Sequence, residues 1–203
     1  MYASKKVKEL LKASQVPLLA LSAAFSFVIM MFNVPLPGGT TGHATGATLI
    51  AILIGPWPAV IALSIALIVQ ALIFGDGGIT AIGANCFNMG FAGVLAGYGI
   101  YRLVAGVRGQ GSGVRRTRQL IGAGIGAYAG INLAAFLTAV ELGIQPLLHT
   151  GADGRPLYSP FPLSITIPAI MLEHLFLFGI VEAVVTVSVL LYIKKSHPEL
   201  IRG

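Results

Sequence analysis

A polar, glycine-rich stretch with one histidine separates two strongly apolar segments. It reads Asn33-Val-Pro-Leu-Pro-Gly-Gly-Thr-Thr-Gly-His43-Ala-Thr-Gly46. Imidazole nitrogen is a ligand for nickel, cobalt, copper and zinc. The glycines leave room for an ion, and the hydroxyl groups of Thr40, Thr41 and Thr45 can orient the ring. We predict that His43 is a metal ligand. One imidazole does not complete a coordination sphere, so the remaining ligands must be His174, backbone nitrogen, water or groups outside this sequence.

Other polar residues lie in or beside apolar segments, where they are costly and often functional. His174 and Glu182 are eight residues apart, about two helical turns, so they share a helix face. This pair is interpreted either as an interhelical hydrogen-bond network or as a gate. The candidates for supporting or gating the site are Asp76, Asn85, Asn88, Glu141, His174 and Glu182.

Catalytic patterns are missing from the sequence. It has no His-Glu-x-x-His, no Walker A lysine loop and no Gly-x-Ser-x-Gly. No nucleotide is expected to bind, and the chain is not expected to be an enzyme. An intramembrane hydrolase using Glu173, His174 and Glu182 is the enzymatic alternative. The single cysteine, Cys86, excludes a disulfide within one chain and a multi-cysteine metal cluster.

The composition places these residues in a membrane protein. Of the 203 residues, 56% are hydrophobic and only 10% are charged, and the mean hydropathy is +0.87. Soluble domains have about 25% charged residues. We therefore predict an all-α, polytopic transmembrane bundle of about six spans, with a glycine-rich loop at its outer face. The predicted spans are 16–33, 43–54 (short for a bilayer), 59–74, 79–101, 119–142 and 164–193.

The basic residues predict one orientation. With the N-terminus in the cytoplasm, twelve of the thirteen lysines and arginines fall on the cytoplasmic side, and only Arg155 falls outside. The net charge of +6 then needs no nucleic acid partner. We expect a single transmembrane domain over 1–203. Its cytoplasmic segments are predicted at 1–15, 102–118 and 194–203, and a long external loop at 143–163.

Glycines recur every four residues in two segments, at Gly93 and Gly97 and at Gly122, Gly126 and Gly130. Small residues at this spacing let helix backbones approach closely. The spacing predicts a helix contact within the chain or, alternatively, with a partner.

Several segments in order resemble one family, the substrate-binding membrane subunit (CbiM/NikM type) of energy-coupling factor nickel/cobalt transporters. The likeness spans nearly the whole chain. It is carried by Pro35-Leu-Pro-Gly-Gly-Thr-Thr-Gly-His-Ala-Thr-Gly-Ala47, Gly55-Pro-Trp57, Gln70-Ala-Leu-Ile-Phe-Gly-Asp-Gly-Gly-Ile79, Gly83-Ala-Asn-Cys-Phe-Asn-Met89, Tyr101-Arg-Leu103, Glu141-Leu-Gly-Ile-Gln-Pro-Leu147 and the segment from Pro168 to Glu182.

The resemblance implies a metal site that His43 shares with the protein's N-terminus. In the family the other ligands are the N-terminal amine and the backbone and side-chain nitrogens of a histidine at position two. Such a nitrogen set suits square-planar nickel(II). This sequence opens Met1-Tyr2-Ala3-Ser4 instead, and it shows six spans where the family has seven. We expect that it lacks the family's first helix, of about two dozen residues.

The resemblance also implies the function. It predicts the substrate-capture component of an ATP-driven uptake transporter in a bacterial or archaeal plasma membrane, with Ni²⁺ or Co²⁺ as the transported substrate. The Pro-Gly-Gly-Thr form of the histidine loop favours nickel. The implied partners are a transmembrane coupling subunit, a pair of cytoplasmic ABC-type ATPases and a small accessory membrane subunit. A cobalt-specific subunit and a scaffold that binds no metal are the alternatives.

Overall fold

The computed structural model describes residues 16–36, 40–106 and 112–197. The side chains of Leu36, Thr40 and 112–115 lie outside this description, as do the predicted basic segment 1–15 and the end of the predicted tail. The described part contains six helices and one hairpin. They are α1 (Val16–Met30), β1 (Val34–Leu36), β2 (Thr40–Gly42), α2 (Ala47–Ile54), α3 (Pro56–Phe74), α4 (Ile79–Ala105), α5 (Ser112–Leu148) and α6 (Leu163–Ser196).

The helical bundle confirms the predicted fold class. The glycine-rich stretch is the exception, because part of it forms a two-stranded antiparallel hairpin. Val34 pairs with Gly42 and Leu36 pairs with Thr40. The hairpin ends one residue before His43, so it brings the histidine back to the end of α1.

Helix α2 is much shorter than the second predicted span. It has eight residues and is about 12 Å long, far less than the 30 Å or so of a bilayer's hydrocarbon core. Seven of its residues are buried inside the bundle, as expected for a helix that is apolar on all sides. Four helices of the described part, α3 to α6, are long and apolar enough to cross a membrane, and α1 is a shorter apolar helix. The count of six spans stays a prediction.

Two predicted loop boundaries are wrong. The predicted spans 43–54 and 59–74 leave 55–58 as a connection, but only Gly55 interrupts the chain, with φ of 94°, and Pro56 opens α3. Proline suits the first helical turn because its missing N–H has no partner there anyway. The external loop was expected from 143, but α5 continues to Leu148.

Gly143 explains the second error. Glycine is common in loops, but Gly143 lies inside α5, next to the first residue of α6. A Cβ at Gly143 would be 2.8 Å from the Cα of Leu163. Thr166 donates a hydrogen bond across this contact to the Ala139 carbonyl, at 2.8 Å. The glycine therefore permits helix packing, and the loop covers only 149–162.

The spaced glycines bring α4 and α5 together, which confirms the contact within the chain. A Cβ built on Gly130 would lie 2.7 Å from the carbonyl oxygen of Gly93, and one on Gly97 would lie 2.9 Å from that of Gly126. A methyl group at these positions would force the two helices apart.

Except for Arg155, in the loop between α5 and α6, the described basic residues gather at one end of the bundle. Arg102 lies at the end of α4, and Arg116 and Arg118 lie at the start of α5. Lys194, near the end of α6, donates a 2.5 Å hydrogen bond to the side-chain oxygen of Gln119. The ends of α1, α3 and α5 and the starts of α4 and α6 form the other end, where His43 lies.

Candidate functional site

A cavity of about 410 Å³ opens beside His43. Its walls come from the histidine loop, α3, α4, α5 and α6. The polar part of the lining is formed by Thr41, His43, Thr45, Gln70, Asp76, Asn85, Thr138 and His174. Sequence-predicted candidates that lie far apart in the chain therefore share one cavity. The site residues Thr41, Thr45, Asp76, Asn85 and His174 all line it together with His43.

His43 is half-buried in the cavity wall, and its Nδ1 lies 3.3 Å from the Ala44 carbonyl oxygen. Because a carbonyl only accepts, this contact places the proton on Nδ1 and leaves the lone pair on Nε2. An imidazole with a free lone pair on Nε2 is the form that binds a metal ion.

Glu182 holds the loop that follows His43. Its side chain is 1% exposed. One carboxyl oxygen accepts hydrogen bonds from the backbone N–H groups of Thr45 (2.7 Å) and Gly46 (3.1 Å), and the other accepts one from the Thr45 hydroxyl (3.2 Å). Residues 45 and 46 immediately precede α2, whose first N–H groups lack partners within the helix. Glu182 thus holds the backbone immediately before α2 and fixes the chain two residues from His43.

Two further contacts complete this arrangement. The Ser26 hydroxyl donates a 2.8 Å hydrogen bond to the Thr45 carbonyl, which ties the loop to α1. Gly46 has φ of 70°, a left-handed conformation that other residues rarely adopt, and a Cβ there would collide with the Phe25 ring. We call the hydrogen-bonded group of Ser26, Thr45, Gly46 and Glu182 the loop clamp.

The opposite wall carries Asp76 and Gln70. The Asn33 amide lies 3.4 Å from both carboxyl oxygens of Asp76, which links the end of α1 to the turn after α3. Gln70 is 3% exposed, and its Nε2 atom has no hydrogen-bond partner among the described residues. A buried amide without a partner costs free energy, so such a group is usually retained for a reason.

The remaining predicted residues have different surroundings. Asn85 donates a 3.3 Å hydrogen bond to the Gly77 carbonyl and thereby closes the glycine turn at the cavity edge. Asn88 is fully buried and donates to Thr138 (3.1 Å) and Glu141 (2.7 Å). Asn88 and Glu141 therefore support the wall from behind Thr138 instead of lining the cavity. The side chain of Thr40 lies outside the described part.

His174 and Glu182 do not act as the pair that their spacing indicated. Both oxygens of Glu182 are engaged by the histidine loop, whereas His174 lines the cavity and its Nδ1 lies 2.8 Å from the Ile170 carbonyl. Within the described ranges, no group of three or more His, Cys, Asp or Glu side chains is arranged to hold a metal ion.

Sequence reasoning missed four residues of this site, Ser26, Asn33, Gln70 and Thr138. Each is an uncharged polar residue within or at the end of an apolar helix. Gln70 alone carried a usable signal, since an amide of that size in the middle of a long apolar run is expensive to bury.

The sequence matches one family over almost its whole length. The family model described as "Cobalt uptake substrate-specific transmembrane region" (CbiM) matches residues 1–200. The chain belongs to the CbiM family. It is therefore a multi-pass membrane protein of a transport family.

Relatives and a solved structure are similar over most of the chain. The fused nickel transport protein NikMN of Rhodobacter capsulatus is 51% identical over 97% of this chain and 56% of its own length. The probable fused nickel transport protein LarMN of Lactiplantibacillus plantarum is 49% identical over 90% and 53%. A crystal structure of a truncated transition metal transporter has 52% identity and a TM-score of 0.88, covering 97% of this chain and 88% of that one. The chain thus spans a little over half the length of these two fused relatives.

Proposed function

We propose that this chain is the metal-capturing membrane subunit of a nickel uptake transporter, with His43 as a ligand for the ion. The observation that carries the proposal is the position of His43: an imidazole, next to a clamped loop segment, in the wall of a polar cavity inside a membrane bundle. Imidazole favours late first-row divalent ions over calcium and magnesium. The nickel names of two relatives support nickel over cobalt.

The arrangement suits capture from outside the cell. We infer that the end of the bundle with the basic residues faces the cytoplasm, so His43 lies at the external end. The segment 1–203 then forms one transmembrane domain, with cytoplasmic residues at 1–15, 102–118 and 194–203 and an external loop at 149–162. The remaining ligands would be water, backbone nitrogen and groups that the structure does not describe.

The energy for uptake would come from partners. The sequence has no Walker A motif, so we propose a transmembrane coupling subunit, a pair of cytoplasmic ATPases and a small accessory membrane subunit. This chain would bind the ion outside and release it inward when the coupling subunit changes its orientation.

Uptake of radioactive nickel by cells that express the transporter tests this proposal. His43→Ala should reduce uptake at least about tenfold, because it removes one of the few strong ligands. His149→Ala is the matched control, since that imidazole is exposed in the external loop. Equal uptake by wild type and His43→Ala would contradict the proposal. Uptake of cobalt alone would establish the cobalt alternative, and no uptake of either metal would favour a scaffold.

A further inference from the structure

One acidic side chain lines the described wall of the cavity, and it belongs to Asp76 in the turn between α3 and α4. The other acidic residues that the structure describes are placed differently. Glu182 gives both oxygens to the histidine loop, and Glu141 is hydrogen-bonded behind the wall. Glu173 and Asp153 do not line the cavity. The negative charge of the described wall is therefore that of Asp76.

The turn that carries Asp76 has a closely defined backbone. Gly75, Gly77 and Gly78 have φ of 72°, 74° and 76°, left-handed values that other residues rarely adopt. The Asp76 N–H donates a 3.2 Å hydrogen bond to the Gln70 carbonyl, which ties the turn to the end of α3. The local sequence therefore fixes the place of this carboxyl group in the wall.

The Asp76 carboxylate has no cationic partner in the part of the chain that the structure describes. No lysine, arginine or histidine there forms an ion pair with it. The Asn33 amide lies 3.4 Å from both oxygens, which is long for a hydrogen bond. An ionised carboxylate has about four lone-pair positions, so a single amide leaves most of them open. Because an unpaired charge in a membrane bundle is costly, a cation in the cavity is the partner that this carboxylate lacks.

The cavity has room for a metal ion that keeps most of its water. Its volume is about 410 Å³. Six water molecules, at about 30 Å³ each in the liquid, take about 180 Å³. An ion that His43 binds from one wall can therefore keep water molecules between itself and the opposite wall, where Asp76 lies.

We propose that Asp76 binds the metal ion through its water molecules, by accepting their hydrogen bonds and by supplying the negative charge that attracts the ion. This inference rests on the proposed function and adds a second recognition group to it. A carboxylate that binds directly suits magnesium, calcium and manganese, against the preference of the imidazole. Contact through water avoids this conflict, because the carboxylate then contributes charge alone. Asp76 selects for charge, and His43 selects for the element.

Nickel and cobalt titrations of the full chain in detergent test the role of this charge. Asp76→Asn keeps the size of the side chain and an acceptor for Asn33. We expect it to weaken the binding of both metals by the same factor, about tenfold, and to make the affinity less dependent on salt concentration. Asp76→Glu keeps the charge and should bind nickel within about threefold of wild type. Asp153→Asn, which removes the same charge from the exposed external loop, should bind like wild type.

Three results of these titrations would overturn the proposal and leave capture at His43 standing. They are unchanged binding in Asp76→Asn, equal losses in Asp76→Asn and Asp76→Glu, and a loss for one metal alone, since contact through water does not distinguish the two ions. Unchanged binding in His43→Ala would overturn the proposed function itself.

A cation that keeps its own ligands separates the two residues. Hexaamminecobalt(III) exchanges its ammonia molecules very slowly, so it offers N–H donors to a carboxylate but no free coordination position to an imidazole. In equilibrium dialysis it should bind wild type and His43→Ala with similar affinity, and Asp76→Asn at least about tenfold more weakly. No binding to wild type, or equal binding to wild type and Asp76→Asn, would overturn the role of Asp76 whatever the role of His43.

Discussion

The cavity has two sides that differ in how their polar atoms are bonded. On the loop side, Glu182 accepts three hydrogen bonds and the Thr45 carbonyl accepts one. On the opposite side, the Gln70 Nε2 atom is buried without a partner among the described residues. Saturated polar groups hold a fold rigidly, whereas unsaturated ones cost stability. The loop side therefore positions His43, and the opposite side keeps the Gln70 amide available for an ion and its water.

Removing Glu182 should have the largest effect on stability. Glu182→Ala leaves the Thr45 and Gly46 N–H groups buried without an acceptor, at about 1–3 kcal/mol each. We expect the protein in detergent to lose about 3 kcal/mol of unfolding free energy and most of its nickel affinity. Thermal unfolding and nickel titration measure the two losses.

The control for Glu182→Ala is Glu173→Ala, on the same helix but outside the loop clamp. If both variants unfolded at the same temperature, the clamp would not hold the loop and the contrast between the two sides would fail.

Thr45→Val should have an intermediate effect. It keeps the shape of the side chain but removes the hydroxyl, which donates to Glu182 and accepts from the Ala47 N–H at 3.2 Å. We expect a loss of about 1 kcal/mol in stability and nickel binding that is weaker by severalfold. Thr41→Val is the matched comparison for stability, because Thr41 is exposed. A larger loss in Thr41→Val than in Thr45→Val would contradict the clamp.

Gln70→Met should act in the opposite direction on stability. The substitution replaces a buried amide that lacks a partner by an apolar side chain of similar length, so unfolding should cost the same or up to about 1 kcal/mol more. Nickel uptake should nevertheless fall by severalfold, because the wall loses a polar group. Leu72→Met, on the lipid-exposed part of the same segment, should change neither quantity. A destabilised Gln70→Met with normal uptake would show that Gln70 is structural.

Part of this site could be predicted from the sequence, for a physical reason. In an apolar chain, a polar residue is expensive to bury, so His43, Asp76, Asn85 and His174 stand out as candidates in the sequence. That they line one cavity is visible only in the structure. The hydrogen bond between Glu182 and Thr45 could not be predicted, because a contact across 137 positions leaves no local pattern in the sequence. The same limit applies to helix ends. Glycine is a typical loop residue, but Gly143 lies inside α5, where it lets Leu163 approach closely. In the sequence, α2 could be recognised only as a predicted span, 43–54, that is too short to cross a bilayer.

Nickel binding by the full chain in detergent, measured by equilibrium dialysis, tests the central claim most directly. Wild type is compared with His43→Ala and with His149→Ala. If His43 is a ligand, His43→Ala should weaken binding about a hundredfold, or about 2.7 kcal/mol, while His149→Ala binds like wild type. Equal affinity of His43→Ala and wild type would contradict the account.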